Sequence, residues 1–115
     1  MSYDIDLCEN SKICSVDRHY EGGTHCLHGT EDAHLNVTYN YNCFYRKHVD
    51  EELGIRWIYG KTGEECAGRL EYAVSVLGTE RDDDYWKPTA GNAGYALSIL
   101  LGWAKQHPNA VFSGD

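Results

Sequence analysis

Asn92 to His107, NAGYALSILLGWAKQH, is the stretch whose reading decides the fold class. Ala93, Ala96, Leu97, Leu100, Leu101 and Ala104 recur at the three- and four-residue spacings that bring side chains onto one side of a helix. Tyr95, Ile99 and Trp103 widen that apolar surface until little more than Ser98, Gly102, Lys105 and Gln106 is left for water. Such a distribution predicts a helix sandwiched between other elements rather than laid on the surface, and it reads as core packing before it reads as a ligand platform. Asn92 suits the N-cap, where a side-chain oxygen accepts from an unpaired first-turn amide. Lys105 and His107 suit the negative end of the helix dipole, and Pro108 stops the helix.

Working outward, Thr62 and Glu65 stand at the spacing at which each side chain satisfies the other's backbone amide, which starts a second helix at Gly63. Cys66, Leu70, Ala73, Val74 and Leu77 make its buried face, and Gly78 ends it. A third helix is predicted from Tyr41 to about Leu53, carried by Phe44, Tyr45 and Val49, with Gly54 just past its end. Asp50, Glu51 and Glu52 then face the negative end of the dipole, at roughly 0.3 kcal/mol or more each. Either that helix stops near His48, or these acids serve something besides helix stability. Ile55 to Tyr59 is a short apolar link, extended or a single turn.

The remaining segments alternate with period two. Tyr3, Ile5 and Leu7 alternate with Ser2, Asp4 and Asp6, and Leu35, Val37 and Tyr39 with Asn36, Thr38 and Asn40, the pattern of half-buried strands. Lys12 to Tyr20 and Thr24 to His28 flank Glu21-Gly22-Gly23 as a hairpin, and Gly29 to Asp32 reads as a loop. Asn40 is expected to cap the following helix and Thr38 to face solvent. Thr79 to Gly91 is the longest loop, and Ala110 to Ser113 a closing edge strand. The expected architecture is an α+β fold over residues 1–115 as a single domain, with an antiparallel β-sheet from the N-terminal third packed against three α-helices.

Ten Lys plus Arg against 18 Asp plus Glu give a formal charge of −8. Direct nucleic-acid or anionic-membrane binding needs a cationic face, so neither is expected. Acidity serves solubility, and it also suits a partner whose own surface is basic. The first ten residues hold no basic region or apolar run of secretory length, and no stretch approaches the ~20 apolar residues of a membrane span, so a cytoplasmic protein is expected. Five cysteines, an odd number, then point to reduced thiols rather than a disulfide framework. In that compartment the sequon at Asn36 is not glycosylated.

No motif names a reaction. Cys8, Cys14, His19, His25, Cys26, His28 and His34 crowd into less than a quarter of the chain, but they lack the paired knuckles of a structural zinc site. A zinc site centred on Cys14, Cys26 and His28 is the alternative this leaves, since residues 26 and 28 of a strand share a face. A cysteine-dependent enzyme acting through Cys43 or Cys66 requires a nearby base, His48 or His107, that sequence does not place. Gly60-Lys61-Thr62 lacks the upstream glycine and strand of a phosphate loop. The main reading therefore has no catalytic residue, metal or cofactor.

Asn36-Val37-Thr38-Tyr39-Asn40, Gly54-Ile55-Arg56 with Gly60-Lys61-Thr62-Gly63-Glu64-Glu65, Gly91-Asn92-Ala93-Gly94-Tyr95-Ala96-Leu97, and His107-Pro108-Asn109-Ala110 together resemble a family of small proteins found in phages, other mobile elements and some bacteria. The resemblance covers about residues 34 to 113, and no residue inherits a role from it. Cys8 to Asp32 departs from that pattern as an insertion, a natural place for a function particular to this chain. What the resemblance implies is a setting in which small acidic proteins resemble anti-CRISPR or other counter-defence inhibitors. In this reading the partner is a host protein or ribonucleoprotein complex with a basic surface. Asp50, Glu51, Glu52, Glu64, Glu65, Asp82, Asp83 and Asp84 supply the charge, and Tyr85 and Trp86 the aromatic anchors.

Overall fold

A computed structural model of the chain describes residues 1–19 and 29–115. Strand β1 (Ser2–Glu9) is central, and its alternation is realised: Tyr3, Ile5 and Leu7 are buried while Asp4 and Glu9 face water. Five later strands follow, β2 (Lys12–Ile13), β3 (Ser15–His19), β4 (Thr30–Asp32), β5 (His34–Thr38) and β6 (Val111–Gly114), of which β2, β5 and β6 pair with β1. β5 pairs antiparallel with β1, setting Tyr3 opposite Val37 and Ile5 opposite Leu35. β6 pairs antiparallel with β1, with Leu7 opposite Phe112. Each of these pairs lies on the buried face, so cross-strand contact and burial specify one register. Asn10 and Ser11, at φ 53° and 65°, turn the chain into β2, the two successive positive values that match a hairpin's twist.

β3 and β4 form a separate two-stranded antiparallel sheet. Here the structure corrects two expectations. Thr30–Asp32 is a strand rather than part of a loop, and Lys12 to His19 is broken at Cys14. The break has a backbone cause: Cys14 N–H donates to the Leu7 carbonyl at 3.0 Å, and the Cys14 carbonyl accepts from Ala33 N–H at 3.0 Å, so the chain leaves β1 and starts a second ladder. The predicted hairpin partner, Thr24 to His28, lies outside the described residues.

Three α-helices are present among the described residues: α1 (Asn42–His48), α2 (Gly63–Leu77) and α3 (Ala90–Gln106). α1 is shorter than predicted, ending at His48 before the acids begin, and 3₁₀ turns precede and follow it at Tyr39–Tyr41 and Gly54–Ile58. Asp50 stabilises the turn between them, its carboxylate accepting from the Glu52 and Leu53 amides at 3.1 and 2.8 Å. Gly54 follows at φ +60°, as its place past the helix implied. The strand face read across Asn36, Thr38 and Asn40 is also corrected. Thr38 is buried and caps the first 3₁₀ turn, and Asn40 lies inside that turn.

α2 carries the predicted capping box. Thr62 Oγ1 accepts from the Glu65 amide at 3.2 Å and the Glu65 carboxylate accepts from the Thr62 amide at 2.9 Å. Its buried face is Cys66, Leu70, Ala73 and Leu77, with Val74 partly covered. α3 is sandwiched as expected, with Gly102, Lys105 and Gln106 left to water. It runs antiparallel to α2, and the two backbones meet closely at both ends. A Cβ on Gly94 would stand 1.8 Å from the Gly78 carbonyl oxygen, and one on Gly63 2.7 Å from that of Ala104. Tyr45 adds a cross-brace by donating to the Ala93 carbonyl at 3.0 Å. The buried apolar residues of strands and helices form one cluster.

Candidate interaction surface

The loop between α2 and α3 is built around one buried amide. Asn92 was expected to cap α3; instead Thr89 caps it, its hydroxyl accepting from the Asn92 N–H at 3.0 Å. The Asn92 side chain is thereby freed to fold the loop. Its Oδ1 accepts from the Asp82 amide at 2.8 Å, and its Nδ2 donates to the Asp84 and Lys87 carbonyls at 3.0 and 2.9 Å. Asp82 in turn accepts from the Asp84 amide at 2.9 Å, and Asp84 from the Trp86 amide at 3.0 Å. Tyr85 fastens the loop to β5, its hydroxyl accepting from Thr38 N–H at 3.1 Å and donating to the Asn36 carbonyl at 3.2 Å. Tyr41 donates to the Tyr85 carbonyl, and Asn40 to that of Trp86.

These bonds sort the predicted partner-binding residues. Asp50, Glu65, Asp82 and Asp84 accept backbone hydrogen bonds, and Asp50 and Asp82 also pair with Arg69 at 3.5 Å and Lys87 at 3.7 Å. Tyr85 is an internal anchor. By contrast the side chains of Glu51, Glu52, Glu64 and Asp83 are exposed and make no hydrogen bond or ion pair among the described residues, and Trp86 is 48% exposed. The acids do not converge on one spot. They follow α2 instead: Glu64 in its first turn, Glu51 and Glu52 adjoining Asp50, whose carboxylate meets Arg69 at mid-helix, and Asp83 in the loop after its C-terminal end.

Sequence reading missed the apolar part of this surface. Tyr72 and Val76 project from the outer side of α2, 60% and 48% exposed, and Leu53 is 53% exposed on the turn next to the glutamates. A signal existed, since Tyr72 and Val76 share a helix face that is not the Cys66, Leu70, Ala73 face.

The two cysteines named as nucleophiles differ in access. Cys66 is fully buried, donates to the Ile58 carbonyl at 3.8 Å, and is pushed up to about 11, chiefly by burial. Cys43 is exposed. Of the zinc alternative, Cys26 and His28 lie outside the described residues. Cys14 is buried and meets two residues that spacing did not connect to it: the donor atoms of Glu9, Cys14 and His107 all lie within 4.8 Å of one another. A cleft of about 350 Å³ opens nearby, lined in part by Arg18, His19, Arg81, Tyr95 and Trp103. The His19 ring tilts against Trp103 at 5.1 Å, and its Nε2–H donates to the Asp32 carbonyl. No helix among the described residues is long and apolar enough to cross a membrane.

Compared with protein families, with characterised proteins and with solved structures, the chain matches none.

Proposed function

We propose that this chain is a small non-enzymatic interaction protein of the phage or mobile-element counter-defence kind, an anti-CRISPR-like inhibitor that covers a basic, nucleic-acid-binding surface of a host protein or ribonucleoprotein complex. The observation that carries this reading is the division of labour among the acids. Half of the predicted acids hold the fold together, while Glu51, Glu52, Glu64 and Asp83 are exposed without side-chain partners among the described residues, and the apolar Leu53, Tyr72, Val76 and the loop residue Trp86 are exposed as well. Carboxylates without internal partners keep their attraction for an external cation, and exposed aromatic side chains at their edge supply the desolvated contacts that dominate interface energy. A basic groove that binds a phosphate backbone is the complement of such a row. Trp86 is held on a loop fixed by Asn92 and Tyr85, so little ordering cost attends its use as an anchor.

The test is affinity capture from nuclease-treated host lysate at low and high salt, with the parent chain and with Glu51, Glu52, Glu64 and Asp83 changed to Lys together. The expected result is a stoichiometric nucleic-acid-binding partner that high salt weakens, since screening acts on exposed charge pairs, and that the variant loses while still folded, with its melting temperature lowered only by the lysine in the first turn of α2. Capture undiminished in the variant removes these carboxylates from the account. Asp82 and Asp84 are left out of the variant because reversing them breaks the loop itself.

A further inference from the structure

Glu9, Cys14 and His107 belong to three different elements: the end of β1, the link between β2 and β3, and the residue that closes α3. Folding nevertheless gathers a carboxylate, a thiol and an imidazole within 4.8 Å of one another. We propose that these three residues form a binding site for a divalent transition-metal ion of the zinc class. The inference uses none of the residues assigned to the partner-binding surface, although Glu64, at one end of that surface, donates its amide to the carbonyl of Pro108, the residue after His107.

Three features support it. First, the donor set is right: thiolate, imidazole and carboxylate are the ligands zinc takes, and three protein donors leave one coordination position for water or a further ligand. Tetrahedral coordination at the usual bond lengths needs donor-to-donor separations of about 3.3–3.8 Å. Glu9 is exposed on a flexible side chain, so its carboxylate can move toward the other two donors.

Second, His107 is already oriented. Its Nε2 lies 2.8 Å from the Ser15 carbonyl oxygen, which can only accept, so Nε2 carries a proton and in the neutral ring the lone pair is on Nδ1. A hydrogen bond from one ring nitrogen to a backbone carbonyl is the arrangement that fixes metal-binding histidines, and here the carbonyl belongs to the residue next to Cys14. Third, Cys14 is buried and bonded through both its backbone groups, to Leu7 and Ala33, which fixes the backbone that carries the thiol. Burial, Glu9 and Cys8 push that thiol above its ordinary value of 9.0. A dication reverses the balance: the S–H bond breaks as the metal–sulfur bond forms, and the proton passes to solvent.

The test is titration of reduced, chelator-stripped full-length protein with Co²⁺, followed by thiolate-to-metal charge-transfer absorption, then competition with Zn²⁺. The expected result is one equivalent bound with a thiolate band, which Cys14→Ser abolishes. Glu9→Gln and His107→Ala each weaken binding about tenfold or more. Glu9 is exposed, so Glu9→Gln keeps the test valid should Cys14→Ser fold poorly. A Cys26→Ser, His28→Ala double variant is expected to bind as the parent does. The proposal is overturned by a parent chain without a thiolate band at stoichiometric cobalt. It is equally overturned if binding survives in Glu9→Gln and His107→Ala but is lost in the Cys26, His28 variant.

Discussion

The buried side chain of Asn92 and the backbone amide of Asp82 are joined at 2.8 Å, across ten positions of sequence, and this bond is one of three by which a single carboxamide shapes the loop between α2 and α3. Carboxamide chemistry is required here. One acceptor meets an N–H while two donors meet carbonyls, a combination that neither Asp nor Leu reproduces.

Asn92→Ala is therefore expected to destabilise the protein by about 2–4 kcal/mol, because it strands one amide and two carbonyls in a partly buried setting. Asn92→Asp retains the acceptor and loses both donors, so it also destabilises. Chemical denaturation checks the magnitude. Fluorescence of Trp86 separates local loop release from global loss, since the loop positions that ring. A change within 0.5 kcal/mol would show that water replaces the side chain at no cost.

Much of this fold was legible because the elements obey local rules. β1 alternates, Thr62 and Glu65 stand at capping-box spacing, and α3 carries its apolar face at helical period; each survives in the structure at those residues. Errors arose where a tertiary partner took a group that local rules had assigned elsewhere. Asn92 has the chemistry of an N-cap, but Thr89 stands three residues earlier and the buried loop needed a carboxamide. Thr38 sits at an outward position of an alternating strand, yet Tyr85 covers it from a loop 47 residues away. The candidate site was half readable for the same reason. Charge is visible in sequence, while the internal partners that occupy Asp50, Glu65, Asp82 and Asp84 are not. Glu9 and His107, almost a hundred residues apart, carry no spacing signal at all.

Two glycines of α3 are expected to answer the same substitution with opposite sign. Gly94→Ala drives a methyl group to 1.8 Å from the Gly78 carbonyl oxygen, a contact relieved only by prying α2 from α3. Several kcal/mol of destabilisation follow, as for overpacking against rigid backbone. Gly102→Ala meets nothing within 4 Å at an exposed helical position. It is expected to stabilise by about 0.5–1 kcal/mol, because alanine loses less backbone entropy on folding. Thermal melts of the two variants beside the parent decide it, and equal effects would refute the close α2–α3 approach.

At the start of α2, Thr62→Ala is expected to cost about 1 kcal/mol by leaving the Glu65 amide without its acceptor and removing the hydroxyl's own bond to the Glu65 carboxylate, while the bond from the backbone amide of residue 62 remains. Hydrogen bonds from the Thr62 backbone and hydroxyl hold the Glu65 carboxyl below its ordinary value of 4.5. A depressed native value contributes stability that is present above the unfolded value and lost as pH falls through the native one. The stability gap between parent and Thr62→Ala is thus expected to be constant near neutrality and to shrink below pH 4.5. Only the hydroxyl's share of the shift is lost in the variant, so denaturant melts across that range test that share, and a gap independent of pH would separate Glu65 from the Thr62 hydroxyl.

Cys66 supplies an alkaline counterpart. Its ordinary value is 9.0, and burial pushes it up to about 11, with Lys61 opposing and Glu65 adding to the shift. Below pH 9 the thiol is protonated in folded and unfolded chains alike, so stability does not depend on it. Between pH 9 and 11 the unfolded chain releases the proton while the native chain keeps it, and the equilibrium moves toward unfolding by about 2–3 kcal/mol in all. Tyr59 is also raised by burial and adds its own decline above pH 10, so the parent's curve alone does not isolate the thiol. Cys66→Ala does. The variant starts less stable because it leaves a cavity on the buried face of α2, and its deficit is expected to narrow by that same 2–3 kcal/mol between pH 9 and 11. A deficit that stays constant would mean that Cys66 ionises as readily in the native chain as in the unfolded one, and would reopen it as a nucleophile. Alkylation at pH 8 gives the independent check: Cys43, exposed on α1, is expected to label in the native protein, and Cys66 only as fast as the chain unfolds.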